Sequence, residues 1–176
     1  MRNRSFISYL NKRYAHPLIG VEVGVKLGEN ASSMVNYLNL QKLYLVDPWL
    51  AYTNPSKEER RLGYINQAIM EQWYSTVKNK FIQNSKVEII RKSSSEASNL
   101  FSLNSLDFVY IDANHNDVYS DCVFWYSKVK TGGVLCGHDW NNKEFYPKLQ
   151  NDVKVFCNIN HIEKFLADNC DWIIEK

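Results

Sequence analysis

Five short, nearly unbroken apolar runs between Leu18 and Asp139 limit what this chain can fold into. They are Leu18–Gly24 (LIGVEVG), Lys42–Asp47 (KLYLVD), Lys86–Arg91 (KVEIIR), Leu106–Asp112 (LDFVYID) and Gly133–Asp139 (GVLCGHD). A strand with one wet face alternates apolar and polar residues, whereas a strand covered on both faces reads as continuous Val, Ile and Leu. These runs are of the second kind, so they predict a parallel sheet buried between two layers. The segments between them carry helical spacing. Met34, Val35 and Leu38 mark a helix over Ala31–Leu40. Ile65, Ile69, Trp73 and Val77 step by four within a long segment, Ser56–Phe81. Ser94–Leu100 reads as a short helix, and Val118, Cys122, Trp125 and Val129 form one stripe across Asn116–Lys130. Strand and helix alternate throughout, as a doubly wound α/β sheet requires. Near the end, Asp152–Asn158 admits helix or strand. His161–Ala167 and Asp171–Glu175 read as a hairpin around Asp168-Asn169-Cys170.

Composition narrows the function classes. The 176 residues are 45% apolar and 23% charged, ordinary for a single globular domain spanning 1–176. Lys plus Arg is 21 and Asp plus Glu is 19, a net charge of +2, too small for nucleic acid or an acidic membrane to be the main partner. No apolar run approaches the roughly 20 residues of a spanning helix. Residues 1–17 precede the first strand, and Phe6, Leu10 and Tyr14 predict a short N-terminal helix there rather than a targeting peptide. Cys122, Cys136, Cys157 and Cys170 have no metal-ligand spacing, so reduced thiols and a cytoplasmic location are expected. The loop Ala51–Pro55 is expected to be mobile, and the mixed-sign run Lys57–Arg61 to be a solvated helix face.

In an open α/β sheet, ligands bind beyond the carboxyl ends of the strands. Those ends hold the candidate chemistry. The first run leads through Glu22 and Gly24 to Gly28, a glycine turn that lets backbone approach a ligand. This is neither a GxGxxG fingerprint nor a P-loop. The second run ends in Asp47, an acid placed to accept ribose hydroxyls or to cap the turn before Pro48. Ser93-Ser94-Ser95 follows the third run and can touch a base or cap the helix near Glu96. The fourth run ends Asp112-Ala113-Asn114-His115 and the fifth Gly137-His138-Asp139-Trp140. Adjacent strands would bring Asp112 and Asp139 to one rim, where two carboxylates can share a divalent cation. His115 there has a side chain suited to general base work near neutrality. Of the tryptophans, Trp49 and Trp140 follow strand-end acids and stand out from the core.

On these residues the chain resembles the class I S-adenosylmethionine-dependent methyltransferases of the methyltransferase domain 24 type. The matching blocks are Gly20–Ala31, Tyr44–Trp49, Ile89–Ser98, Leu106–Trp140 and the terminal Asp171–Lys176, in family order. The resemblance implies a Rossmann-like three-layer sandwich with a mostly parallel, seven-stranded sheet ending in an antiparallel hairpin. It implies S-adenosyl-L-methionine as cofactor, with Glu22, Gly24 and Gly28 lining its methionine end and Asp112 among the residues that bind it. Asp47 would hold the ribose, with Trp49 beside it and Ser94 near the adenine. Related O-methyltransferases carry Asp-x-x-His at the fourth strand end, which Asp112 and His115 match, the Asp as metal ligand and the His as base. Asp139 matches the acid of their fifth strand, and His138 stands where some relatives have a further acid. The metal set would thus be Asp112, His138 and Asp139, with Mg2+, another ion or no metal left open.

The expected reaction is O-methylation of a small or sugar-like hydroxyl. The alternatives are N-methylation, metal-independent transfer, or a non-catalytic ligand- or protein-binding module on the same fold. The expected partner is a small-molecule acceptor, with no nucleic acid and no membrane. With little chain outside the core, specificity is expected from Ala51–Phe81, from the loops after Asp112 and Asp139, or from a second subunit in a homodimer.

Overall fold

The structure, a computed structural model, describes residues 4–53, 60–115, 117–168 and 170–176. Its elements in chain order are α1 (Ser5–Arg13), β1 (Leu18–Val23), α2 (Glu29–Tyr37), β2 (Leu40–Val46), α3 (Gln67–Phe81) and β3 (Val87–Ile90). There follow α4 (Ser94–Ser98), β4 (Leu106–Ile111), α5 (Val118–Tyr126), β5 (Val129–Gly137), α6 (Leu149–Ile159), β6 (Phe165–Asp168) and β7 (Asp171–Glu175). One seven-stranded sheet has the order β3-β2-β1-β4-β5-β7-β6. The first five strands are parallel, and β7 runs antiparallel between β5 and β6. The architecture is the Rossmann-like sandwich with a terminal hairpin that the sequence predicts.

Both faces are covered, which is why the strands read as continuous. Along β4, Phe108 and Tyr110 pack with residues of α1, α2 and α3, while Val109 and Ile111 pack with α5 and α6. All four are essentially inaccessible. Strand order reverses between β1 and β4, so their loops part and leave a crevice at the carboxyl edge.

Helix α1 buries Phe6, Ile7 and Leu10. Its first turn has no side-chain cap of its own, but Asp171 of β7 accepts from Ser5 Oγ (2.9 Å) and Phe6 N (3.1 Å). That carboxylate satisfies donors a helix start leaves unpaired and fixes the direction in which Arg4 leaves the helix.

Several boundaries differ from those the sequence predicts. The long helix begins at Gln67 rather than Ser56, because Asn66 Oδ1 accepts from Ala68 N (2.9 Å) and Ile69 N (3.4 Å) and caps it there. Ile65 stands outside it and is half exposed. The expected mobility at Pro55 and the helix face at 57–59 lie outside the described residues, as does residue 169 of the hairpin turn. Helix α2 ends at Tyr37 and Leu40 already opens β2. Val129 begins β5, paired with Leu106, instead of ending a helix. The ambiguous segment near Asp152 is helical. Cys122, Cys136 and Cys157 are buried free thiols, and Cys170 is exposed and free. No helix among the described residues is long and apolar enough to cross a membrane.

Candidate active site

The loop after β1 is pressed onto the loop after β4. Gly24 has φ +86°, and a Cβ there would stand 2.3 Å from the Asp112 carbonyl oxygen, so only glycine permits this approach. Gly28, expected at the methionine end, forms the left-handed N-cap of α2 (φ +70°), between Leu27 and Glu29 of the larger cavity's wall. A Cβ on it would meet Phe81 at 3.0 Å, and it lines neither of the two crevice cavities.

Glu22 lies at the floor of the larger cavity, about 250 Å3 in volume, and is 1% exposed. Asn30 Nδ2 donates to its Oε1 at 2.8 Å. The other oxygen, Glu22 Oε2, and the amide oxygen, Asn30 Oδ1, are buried without a hydrogen-bond partner among the described residues. Burial pushes the Glu22 carboxyl up to about 8, with the Asn30 hydrogen bond opposing it.

Asp47 lies beside the smaller cavity, about 70 Å3, with Trp49, Trp73 and Ser94. Its Oδ2 accepts from Val25 N (2.9 Å) and Lys26 N (3.0 Å), and its Oδ1 from Trp49 N (2.7 Å). Burial raises its pKa against these three bonds. The capping role considered for Asp47 is therefore realised, in a residue that still borders the cavity. Trp49 is buried, with its indole N–H donating to Lys26 O (3.0 Å). Ser93 caps α4 in a capping box with Glu96, and Ser94 Oγ accepts from Trp125 Nε1 at 2.8 Å while facing the cavity. Trp140 lies away from both cavities, against Phe165.

The β4 and β5 ends converge as expected. His115 Nε2 lies 2.9 Å from Asp139 Oδ2 and 3.5 Å from Asp112 Oδ1. His138 Nδ1 is 3.2 Å from Asp139 Oδ1 and 3.7 Å from Asp112 Oδ1. His115 is buried against Tyr146, with ring centroids 4.3 Å apart, and its Nδ1 has no hydrogen-bond partner among the described residues. Burial lowers the His115 pKa, but the hydrogen bonds and charges of Asp112 and Asp139 outweigh it and hold the ring up to about 9. Burial raises both aspartates, and the facing histidines, joined at Asp112 by Arg4, win and keep them below the ordinary carboxylate range.

Two contributors, Arg4 and Asp171, were not legible in the sequence, and a third, Tyr110, was left unread. Arg4 Nη1 donates to Asp112 Oδ2 (3.0 Å) and to Tyr110 Oη (2.6 Å), and Tyr110 in turn donates to Asp171 Oδ1 (2.8 Å). Arg4 is 108 residues from Asp112, and no spacing signals such a meeting. Tyr110 did carry a signal, since it is two positions before Asp112 on the same strand.

Among the described residues, the group of acids, imidazoles and thiols able to share a cation is Asp112, His138 and Asp139, with ligand atoms within 4.8 Å of one another. Two carboxylate oxygens and one imidazole nitrogen fit a divalent ion. The nitrogen suits manganese, iron or zinc better than magnesium, which prefers oxygen throughout.

A family model described as a methyltransferase domain matches residues 21–140, which include both strand-end rims. No curated protein matches the sequence. Several solved structures share the fold. A Corynebacterium glutamicum protein superposes with TM-score 0.65 at 12% identity, covering 97% of this chain and 78% of that one. The O-methyltransferase NovP gives 0.65 at 13%, covering 99% and 77%. Spermidine synthase from Thermotoga maritima gives 0.59 at 11%, covering 97% of this chain but 59% of its own length. At these identities the likeness establishes the fold alone. The chain belongs to the methyltransferase domain family and is a class I S-adenosylmethionine-dependent methyltransferase. The structure accommodates that cofactor's amino-acid end, because Glu22 Oε2 and Asn30 Oδ1 are two buried acceptors lacking a donor beside the same cavity.

Proposed function

We propose that this methyltransferase acts on an oxygen of a small, sugar-like acceptor, with His115 moving the acceptor's proton and Asp112, His138 and Asp139 holding a divalent cation. The observation that carries this reading is the position of His115 Nε2 between two strand-end carboxylates, beside the cavity that Glu22 and Asn30 also line. Methyl transfer is an in-line displacement. The sulfonium–methyl bond breaks, the oxygen–methyl bond forms, and the hydroxyl proton must leave. The enzyme's main tasks are to align the two reactants and to handle that proton.

Glu22 and Asn30 would receive the cofactor's ammonium group. Asp47 has three of its roughly four acceptor positions filled by backbone, which leaves one for a ribose hydroxyl. Trp49 and Ser94 would form walls around the nucleoside, and Gly24 lets the backbone lie close to it. A divalent ion, when bound, supplies positive charge that lowers the pKa of an acceptor hydroxyl. His115 can take a proton only once it has lost its own, which Asp112 and Asp139 now stabilise. A site in which those carboxylates are engaged elsewhere frees the imidazole to act as base.

One observation favours a metal-independent variant. Arg4 lies 3.0 Å from Asp112, and the His115 ring, held up to about 9, lies 2.9 Å from Asp139, so the rim is already charge-compensated by protein groups. Calorimetric titration with S-adenosylmethionine and S-adenosylhomocysteine, with and without Mn2+ or Mg2+, separates these variants when combined with a screen of small hydroxyl acceptors. Turnover that rises with cation supports the metal site, and turnover indifferent to cation and chelator supports the Arg4 variant. His115→Ala is expected to keep cofactor affinity and lose turnover. Full turnover in that variant would remove His115 from the mechanism.

A further inference from the structure

An amino-acid end carries two charges, and the site described so far answers only one. Glu22 Oε2 and Asn30 Oδ1 suit an ammonium group. A carboxylate on the same carbon must then lie in the same cavity, whose wall already holds the acids Glu22, Glu29, Asp112 and Asp139. An anion there needs a fixed cation facing it. Among the described residues that line the cavity, two carry a positive charge that does not depend on a ring proton, Arg4 and Lys26. Lys26 Nζ sits over the rings of Tyr64 and Trp73, 5.4 and 5.3 Å from their centroids. Arg4 makes both of its hydrogen bonds through Nη1, to Tyr110 and Asp112. Its Nε and Nη2 have no hydrogen bond among the described residues, and the side chain is 27% exposed. A guanidinium is a planar fork that can hold one carboxylate on one edge and a second on another.

We propose that Arg4 is the residue that binds the carboxylate of S-adenosylmethionine, so that the N-cap residue of α1 completes the cofactor site. The proposal rests on the reading of Glu22 and Asn30 as the ammonium site. The surroundings hold Arg4 in place for this task. Asp171 fixes the first turn of α1 through Ser5 and Phe6, and accepts from the Tyr110 hydroxyl that Arg4 bonds. Phe6 packs on the Tyr110 ring at 4.1 Å. Tyr110 is therefore a positioning residue for Arg4. The same guanidinium ties the cofactor's amino-acid end to Asp112, the acid at the acceptor side.

The test compares S-adenosylmethionine with decarboxylated S-adenosylmethionine, which keeps the ammonium and lacks only the carboxylate. Affinities are measured by calorimetry on the full chain. The wild type is expected to prefer the carboxylated ligand by about 10- to 100-fold, the range for a hydrogen bond between charged groups. In Arg4→Gln that preference should disappear, with affinity for the decarboxylated ligand unchanged. Arg4→Lys should retain part of it, since an ammonium offers charge without the fork, and Tyr110→Phe should reduce it. Because the readout is a ratio on one protein, general loosening of α1 would weaken both ligands together and leave the ratio intact. An unaltered ratio in Arg4→Gln overturns the proposal. Glu22→Gln serves as the control, expected to weaken both ligands alike. If it weakens neither, the ammonium reading fails, whatever Arg4→Gln shows.

Discussion

The rim formed by β1 and β2 and the rim formed by β4 and β5 use the same group, a carboxylate at a strand end, and treat it in opposite ways. Glu22 and Asp47 are pushed up by burial, with only neutral amide donors in contact to oppose it. Burial also works against the charged forms of Asp112 and Asp139, whose side chains are 20% and 18% exposed, but His115, His138 and Arg4 stand against them and their pKa values fall. The first rim thus holds buried carboxyl groups with no cation in contact, and a cationic ligand group can stabilise their charged forms. The second brings its own cations and is prepared before any ligand arrives. Strand-end placement says where an acid is; only its neighbours say whether it attracts a cation or stabilises a proton beside it.

The largest expected effect comes from breaking the second rim. His115→Ala should lower turnover by about 10^2- to 10^4-fold, the usual share of a general acid or base. The release of S-adenosylhomocysteine measures it, and calorimetry should show unchanged cofactor affinity. Gly24→Ala strikes where the two rims touch. Its methyl would meet the Asp112 carbonyl at 2.3 Å in a left-handed backbone, and strain plus overpacking should cost about 2–4 kcal/mol, read from urea unfolding. Glu22→Gln sharpens the contrast from the other side. It should weaken cofactor binding by about 10- to 100-fold and leave the aspartate–histidine cluster as it is. A chemical-shift titration of the His115 ring that moved in this variant would break the separation between the rims.

The smallest effect is on the pH profile of thermal stability in the ligand-free protein. The pKa of Glu22 is raised, from an ordinary 4.5 to about 8, so the fold binds this proton more tightly than the unfolded chain does. Its share of stability is complete below pH 4.5 and is lost as pH rises through about 8. His115 is raised as well, from 6.5 to about 9, and its share is lost as pH rises through that value. Asp112 and Asp139 have the opposite sign, since their lowered pKa values give stability that is lost on acidification below the ordinary carboxylate value of 3.8. Melting temperature should therefore fall by a few degrees from mildly acidic to alkaline pH. Glu22→Gln should flatten the earlier part of that fall, and saturating S-adenosylmethionine should do the same. A profile unchanged by Glu22→Gln would show that the Glu22 carboxyl is not held neutral by burial.

The fold was readable because burial on both faces leaves continuous apolar runs, and alternating side chains such as Phe108 and Val109 then serve opposite layers. Helix limits were less readable. Asn66 starts α3 through a cap that overrides the apolar period running before it, and Val129 belongs to β5 because Leu106 lies opposite. Asp112, His115, His138 and Asp139 could be found because strand ends are fixed points in such a sheet. That Phe81 packs against Gly28 could not be read from the sequence, because the two are far apart in the chain.

The sequence by itself determined the sheet, its strand-end acids and the family blocks, since each depends on local spacing and on side chains only a few residues apart. Tertiary structure alone decided that Arg4 reaches Asp112, that Asp171 and Tyr110 hold it there, and that Glu22 and Asn30 keep two acceptors unpaired. These outcomes depend on distance and dielectric between segments far apart in the chain. Charge interactions and desolvation act through space, and no period in a sequence records them.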